Sequence, residues 1–335
     1  MPTHTSTIEP LNWRSVIAEA VRRRKAEGMT QKEHAALASV SIPTMLAFER
    51  GERTLSLAKA FDILRVVGLL DEPAEDGAQD AFVQHAFERW RSLVARLPKD
   101  SPGRFPHGWY RIDYCLDGDL KTFESHELEP ILDQQALRNT GWPLFVTMTR
   151  SELAPYEQDG VLECWIKPAE KGIERTFSDP AHCDFWQASP DGRFMIIRGY
   201  QEDGQETFRP SSIFDTTLPI WRIAEGLLHA ARMAQALKSK QEASVTVRFR
   251  ILYTGLKGRV LRAWGNPQSN LFLDGGAARS DEALLETSVT SDAIDGTLPT
   301  LIFPMIASLY DRFGISGLSE DRVAEEVSRF RNSRT

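Results

Sequence analysis

Histidines, cysteines and carboxylates gather at a few places in this 335-residue chain, and each place poses a chemical question. "HELEP", beginning at His126, has the opening of a zinc-peptidase helix, which needs a second histidine one turn on with a glutamate between the two. Pro130 stands where that histidine belongs. Cys164, His182, Cys183 and Asp184 are metal-ligand types, yet an adjacent His-Cys pair is poor chelate geometry and the set is incomplete. His229, inside "GLLHAARMA", reads as a packed or surface histidine of a helix, with a general base as the rival reading. No serine with a partner lysine singles itself out as a nucleophile, and no glycine-rich nucleotide loop follows a strand. The chain is therefore expected to carry no catalytic residues, no metal and no cofactor, and not to be an enzyme.

Two groupings suit binding better than bond-making. Trp109, Tyr110, Tyr114, Trp142, Trp165, Phe185, Trp186, Tyr200 and Trp221 fall within one stretch. They are either the core of a sheet or rings lining a pocket or partner surface. Arg248, Arg250, Arg259 and Arg262 are placed to share one sheet face, either solvated or engaged with an anionic ligand or a nucleic-acid backbone.

With 41% hydrophobic and 26% charged residues the chain has material for a sizeable core, and its length suits two or three domains. Cys115, Cys164 and Cys183 make an odd count without paired spacing, which argues against a disulfide framework and for a reducing, cytoplasmic setting. No apolar leader opens the chain and no stretch approaches a membrane span, so neither secretion nor a membrane partner is expected. The net charge of −7 is unevenly spread: residues 1–70 hold ten Lys/Arg against seven Asp/Glu, the remainder thirty against forty. A basic head on an acidic body suits a small nucleic-acid-binding module joined to a body of another kind, unless the imbalance is chance variation between the parts.

The elements that must position these groups fall into three parts, residues 1–70, 71–100 and 101–335. In the first, Trp13, Val16, Ile17, Ala20 and Val21 recur at helical spacing before Gly28 stops the helix. Thr30 with Glu33 makes a capping box for "QKEHAALA". Ser41 caps a third helix with Pro43 in its first turn, where a missing N–H costs little. Ser56 caps a fourth, whose stripe is Leu57, Ala60, Phe61, Leu64 and Val67. "DEPAEDGAQD" (71–80) reads as a polar linker. Beyond it Val83, Phe87, Trp90, Val94 and Leu97 form a heptad-like seam, which either packs on its own domain or serves as a dimerisation arm.

"LPKDSPGRFPHG" (97–108) is a second break, after which alternating runs such as "WYRIDYCL", "GVLECWIKP" and "GRFMIIRGY" read as strands. A helix follows with Ile223, Leu227, Ala230, Ala234 and Leu237 on one face, then a hairpin over "SVTVRFRILYTGLKGRVLRAW", then two closing helical stretches. The predicted fold is multidomain: an all-α head and an α+β body with a mainly antiparallel sheet. No internal repeat is present.

"MTQKEHAALASVSIPTMLAFERGER" (29–53) resembles the helix-turn-helix core of the XRE family, the Cro and phage-repressor group, and the likeness extends from near Arg22 to Val67. Thr30-Gln31 opens the first helix of the motif, and Ala35 is the small residue at which its helices cross. Val40-Ser41 ends the turn, Met45 and Phe48 are buried anchors of the second helix, and Glu49-Arg50-Gly51 closes it. Two positions depart from the family. His34 replaces the usual leucine, and Ser39 replaces the turn glycine, where a left-handed serine costs on the order of 1 kcal/mol.

The resemblance implies a structural ion pair between Arg24 and Glu49, tying the first helix to the third. It also implies that Ile42, Pro43, Leu46 and Ala47 enter the major groove, with Thr44 beside them and Gln31 reaching from the preceding helix. None of the four can make a bidentate contact to a base edge, which discriminates by about 1–3 kcal/mol. Thymine methyls, Gln31 and groove shape are left to select the sequence. Gln31, Lys32, Ser41, Thr44, Arg50 and Arg53 are the implied phosphate contacts, and Arg22–Arg23–Arg24–Lys25 a mostly solvated face.

The expectation is a homodimeric, sequence-selective transcriptional regulator, a repressor or autoregulator, bound to double-stranded DNA at a two-fold operator with half-sites about 34 Å apart. Its body would dimerise and sense a small-molecule, nucleic-acid or protein effector. Two rival readings are a helix-turn-helix protein with an unrecognised catalytic body, and an adaptor or antitoxin-like protein whose apolar recognition face docks a partner protein.

Overall fold

The computed structural model describes residues 12–38, 40–52, 55–70, 74–265 and 275–333. By internal contacts the chain divides into two compact units, Met1–Asp80 and Ala81–Thr335.

The first unit is a head of four helices, α1 (Trp13–Ala26), α2 (Gln31–Leu37), α3 (Ile42–Glu49) and α4 (Leu57–Val66). Each begins on a side chain that accepts an otherwise unpaired backbone N–H: Asn12, Thr30, Ser41 and Ser56. Their apolar faces close on Ile17, Ala20, Ala35, Met45, Phe48, Ile63 and Leu64, with the Trp13 ring edge-on to Phe48 at 5.6 Å. In the predicted stripe of α4, Ala60, Leu64 and Val67 are buried and Phe61 half-buried, while the Leu57 side chain lies outside the described residues.

The polar stretch 71–80, read as a linker, is helical from Ala74 onward, where α5 (Ala74–Val94) begins, and the division between the two units falls at its end. Its composition reported polarity, which a polar helix satisfies as well as a loop.

The second unit is built on β1 (Trp109–Gly118), α6 (Leu128–Gln135), β2 (Tyr156–Gln158), β3 (Val161–Trp165), β4 (Phe185–Ala188), β5 (Arg193–Gly199), β6 (Ile213–Asp215), α7 (Leu218–Leu237), β7 (Val245–Tyr253), β8 (Val260–Arg262), β9 (Ala283–Thr290), α8 (Ile294–Asp311) and α9 (Glu320–Asn332). Seven strands make one antiparallel sheet in the order β2-β3-β4-β5-β1-β7-β9, and β6 pairs with β8 in a small parallel sheet. β7 alternates buried and half-buried residues without a break, so Val245, Val247, Phe249, Ile251 and Tyr253 share one face. The predicted hairpin of β7 with β8 does not form. Both edges of β7 are taken, by β1 and β9, so β8 turns away to β6.

On one sheet face lie α7, α8 and α9 around a core that includes Ile112, Tyr114, Trp186, Ile196, Phe249, Leu227 and Ile302. α7 approaches the sheet closely at Gly226, where a Cβ would stand 2.7 Å from the Phe249 ring. One helical stretch, Ser291–Asp311, is long and apolar enough to cross a membrane, contrary to the expectation that none is. Here it packs against α7 and β9 and buries Leu298, Ile302, Met305, Ile306 and Leu309, and it carries Pro299 and Pro304.

The opposite sheet face receives α5. Val83, Trp90 and Val94 are buried there with Phe185, Met195 and Ile197, and Phe87 and Leu97 pack against the same cluster. The Trp90 ring stacks on Phe105 at 5.7 Å and meets Trp109 edge-on. The seam Val83, Phe87, Trp90, Val94, Leu97 thus packs on its own unit, the first of the two readings given for it. A heptad spacing specifies an apolar stripe; this sheet face supplies the cover a partner helix would have given.

Candidate nucleic-acid interface

Two helices and the corner between them set this site. The capping box opens α2: Thr30 Oγ1 accepts the Glu33 N–H at 3.2 Å, and Glu33 accepts the Thr30 N–H at 2.8 Å. The Thr30 donors hold the Glu33 carboxyl below its usual range. At the corner, the Val40 N–H returns to the Ala35 carbonyl at 2.9 Å, and Ser39 lies outside the described residues. Ser41 then caps α3 by accepting the Thr44 N–H at 3.2 Å, and Gly51, with φ of +72°, ends the helix in the left-handed region. Met45 and Phe48 are buried, and this fixes the rotation of α3.

That rotation turns Ser41, Ile42 and Pro43 fully outward, with Thr44, Leu46 and Ala47 half-buried behind them. Ile42 retains 45% of its surface. Lys32 and Arg50 are exposed to either side, Arg50 only 3.7 Å from Glu52 but 70% exposed. Arg53 lies outside the described residues. The two hydroxyls on this face, Ser41 and Thr44, bond to each other at 2.8 Å and keep lone pairs and one proton to offer.

Behind the face, Glu49 joins three helices. One of its oxygens lies 3.1 Å from Arg24 Nη2, and the other accepts the Gln31 side-chain amide. Arg24 also donates to the Met29 carbonyl at 3.0 Å. Gln31, implied as a base and phosphate contact, is therefore held by Glu49, with its second amide hydrogen and its carbonyl oxygen left to reach outward.

Two roles in the head were not read from the sequence. The His34 Nε2–H donates to the Ile63 carbonyl at 2.9 Å, so the residue in the leucine position closes the C-terminal turn of α4. Arg23 donates to the Val67 and Gly68 carbonyls at 3.2 and 2.5 Å, at the same helix end. The basic run on α1 is thus not mainly a solvated face: Arg24 is buried against Glu49, Arg23 caps α4, and Arg22 pairs with Glu19 at the surface. Only a histidine at the leucine position, within reach of a helix end, could have signalled the first of these.

Residues 22–71 match the helix-turn-helix family model. The helix-turn-helix is of the XRE kind, and the match ends before the second unit begins. Comparisons with curated proteins and with solved structures gave no match. A helix-turn-helix supports a DNA-binding regulator, and the exposed face of α3 is where its geometry offers contact.

In the body, the other singled-out residues have separate tasks. Cys164 donates to the Leu153 carbonyl, and burial pushes its thiol well above the usual range. His182 bonds Asp179 at 2.7 Å, and Cys183, raised to about 12 by burial, lies beside Arg175. Asp184 makes a fully buried bidentate pair with Arg198 at 2.8 and 2.6 Å. His229 stands 2.9 Å from the Tyr114 hydroxyl, and burial lowers its pKa to about 3. The four arginines do not share a face. Arg248 and Arg250 do, matched to Asp117 and to the buried Asp113, whereas Arg259 is fully buried on Asp203 and Arg262 lies on β8. Alternation decides this, since β7 ends before Arg259.

Proposed function

We propose that the protein is a sequence-selective transcriptional repressor, acting in the cytoplasm as a homodimer on a two-fold operator that includes its own promoter, with a body that senses an effector. In this reading the body is a sensor and not a catalyst. The observation that carries it is the outward face of α3, where Ser41, Ile42 and Pro43 project from a closed helical core between exposed Lys32 and Arg50. Ile42 meets thymine methyls, while Lys32, Arg50, Ser41 and Thr44 meet phosphates. With few polar base contacts per half-site, two heads are needed for selectivity. The dimer contact falls elsewhere than on the apolar seam of α5.

The test is fluorescence anisotropy of the full chain with duplexes from upstream of its own gene, over a salt series and against random duplex. A tight, two-fold-symmetric site with a steep log–log salt dependence is expected, about −0.9 for each phosphate neutralised. Absence of any complex in dilute buffer overturns the reading. A protein-docking role for the head is favoured by one feature, the exposure of Leu37 (63%) together with Ile42. That alternative gains only if Ile42→Asp abolishes a protein complex while no duplex is bound.

A further inference from the structure

The two ends of the seven-stranded sheet are guarded differently. At one end β2 is three residues long and carries Glu157, a short charged edge of the kind that discourages further pairing. At the other, β9 runs for eight residues, "ALLETSVT", with Glu286 its only charge and no proline. It pairs with β7 in unbroken register, from Ala283 on Tyr253 to Thr290 on Thr246, so no bulge turns the edge away. Among the described residues no strand takes its outer side. Every second residue of β9 therefore points its N–H and C=O away from β7, in a row about 26 Å long.

The surroundings of this edge are apolar too. On the face that carries the helices Leu285 is buried, and Val289 is half-buried, as are Leu301 and Phe303 of α8. On the other face Leu284, 50% exposed, stands beside its cross-strand neighbour Leu252. α8 follows β9 in the chain and packs on β9, α7 and α9. From Gly296 to Tyr310 it has no charged residue, yet only 39% of its most apolar stretch is buried. What it exposes is Gly296, Thr297, Thr300, Pro304 and Ser308. A helix with one side in water ordinarily turns charged residues to that side, and this one does not.

We propose that this end of the sheet is the interface between two copies of the chain, β9 pairing antiparallel with β9 of the second copy about a two-fold axis. A row of backbone donors and acceptors is satisfied by a strand, which a lipid surface cannot supply. An antiparallel strand pair is its own complement under a two-fold axis, so each copy brings what the other needs. The sheet edge and the helix layer on it form a strip about 26 Å by 20 Å, on the order of 500 Å² before side-chain relief, near the roughly 600 Å² per partner at which specific interfaces begin. Glu286 sets the register. Centring the pair on Glu286 or on Thr287 keeps every residue on its own sheet face and pairs seven of the eight residues. The first opposes two carboxylates and is disfavoured. In the second, Glu286 meets Ser288 of the second copy, Leu285 meets Val289 and Leu284 meets Thr290. This gives the homodimer proposed above its contact surface and rests on that reading only for what the dimer does on DNA.

The experiment is sedimentation velocity of the full chain over a concentration series without DNA, with amide hydrogen exchange at the two ends of that series. A dimer is expected, and as it forms, exchange should slow on alternate amides of β9. Ser288→Glu, at an exposed position, sets two pairs of like charges face to face in the dimer and should raise its Kd about three- to tenfold. Adding Glu286→Lys makes both pairs opposite in charge and should restore the affinity. If a variant fails to fold, exchange in the native chain still decides. The proposal is overturned by a chain that stays monomeric, by a dimer whose β9 amides exchange as in the monomer, or by a folded Ser288→Glu variant of native affinity. A monomer that instead co-floats with phosphatidylcholine–phosphatidylglycerol vesicles overturns it in favour of α8 facing lipid. A dimer that pairs through β9 but binds no duplex leaves this interface standing and overturns only the regulator reading.

Discussion

Gln31 donates its side-chain amide to Glu49, whose other carboxylate oxygen faces the Arg24 guanidinium at 3.1 Å. The residue at the opening of α2 is thereby tied to the end of α3. Arg24 and Glu49 are 9% and 17% exposed, so solvent screens them only partly. Glu49→Ala strips two partners and is expected to lower the head's stability by about 1–3 kcal/mol, more than Arg24→Ala. A double-mutant cycle by denaturant unfolding reads the coupling; strictly additive effects would mean that the pair contributes nothing.

Base selection should be carried by a methyl contact. Replacing thymine by uracil in the half-site should weaken binding of the native chain several-fold and leave Ile42→Ala nearly indifferent, since both partners of the contact are then gone. Equal losses for the two proteins would sink the assignment of Ile42 to the groove.

Lys32 and Arg50 are exposed beside α3, and the proposed reading gives them phosphate contacts. Lys32→Ala and Arg50→Ala should each reduce the salt slope by about 0.9 and weaken all sequences alike. Gln31→Ala should instead reorder preferences among sites. Titrations at several salt concentrations separate the two behaviours.

Trp90 is buried by Phe105, Trp109 and the sheet. Trp90→Ala should cost about 3–5 kcal/mol of body stability and leave the oligomeric state of the folded protein unchanged. Sedimentation of the variant checks this. A folded, equally stable monomer would restore the dimerisation arm.

Two buried groups should pull pH dependence in opposite directions. Glu202 is raised from its ordinary 4.5 to about 7, chiefly by burial, so the native state holds its proton where the unfolded chain has lost it. Its contribution therefore makes stability fall as pH rises from about 4.5 to 7, by on the order of 3 kcal/mol. Glu202→Gln should remove that slope and stabilise the chain above pH 7. His229 is lowered from 6.5 to about 3 by burial and then by Arg232, so the stability linked to its neutral form is present above 6.5 and lost as pH falls toward 3. His229→Gln should blunt acid unfolding; urea midpoints at pH 4, 5, 6.5 and 8 distinguish the two residues.

What the sequence by itself determined is the head and the texture of the body. The head's signals are local: Thr30 with Glu33, Ser41 ahead of Pro43, Ala35, Met45 and Phe48 act on neighbours a few residues away, and so they appear as spacing. The strand of Val245 to Ile251 was legible for the same reason, because alternation is a property of one strand. Tertiary structure alone decided what covers each apolar face. The seam of α5 lies on a sheet assembled from strands far along the chain, and periodicity reports that a stripe is apolar without naming its cover. The same holds for the buried charges. Arg198 with Asp184 and Arg259 with Asp203 exist because the sheet order brings β4, β5, β1 and β7 side by side. No local pattern encodes a meeting of that kind, since each partner's signature in the sequence is that of an ordinary strand residue.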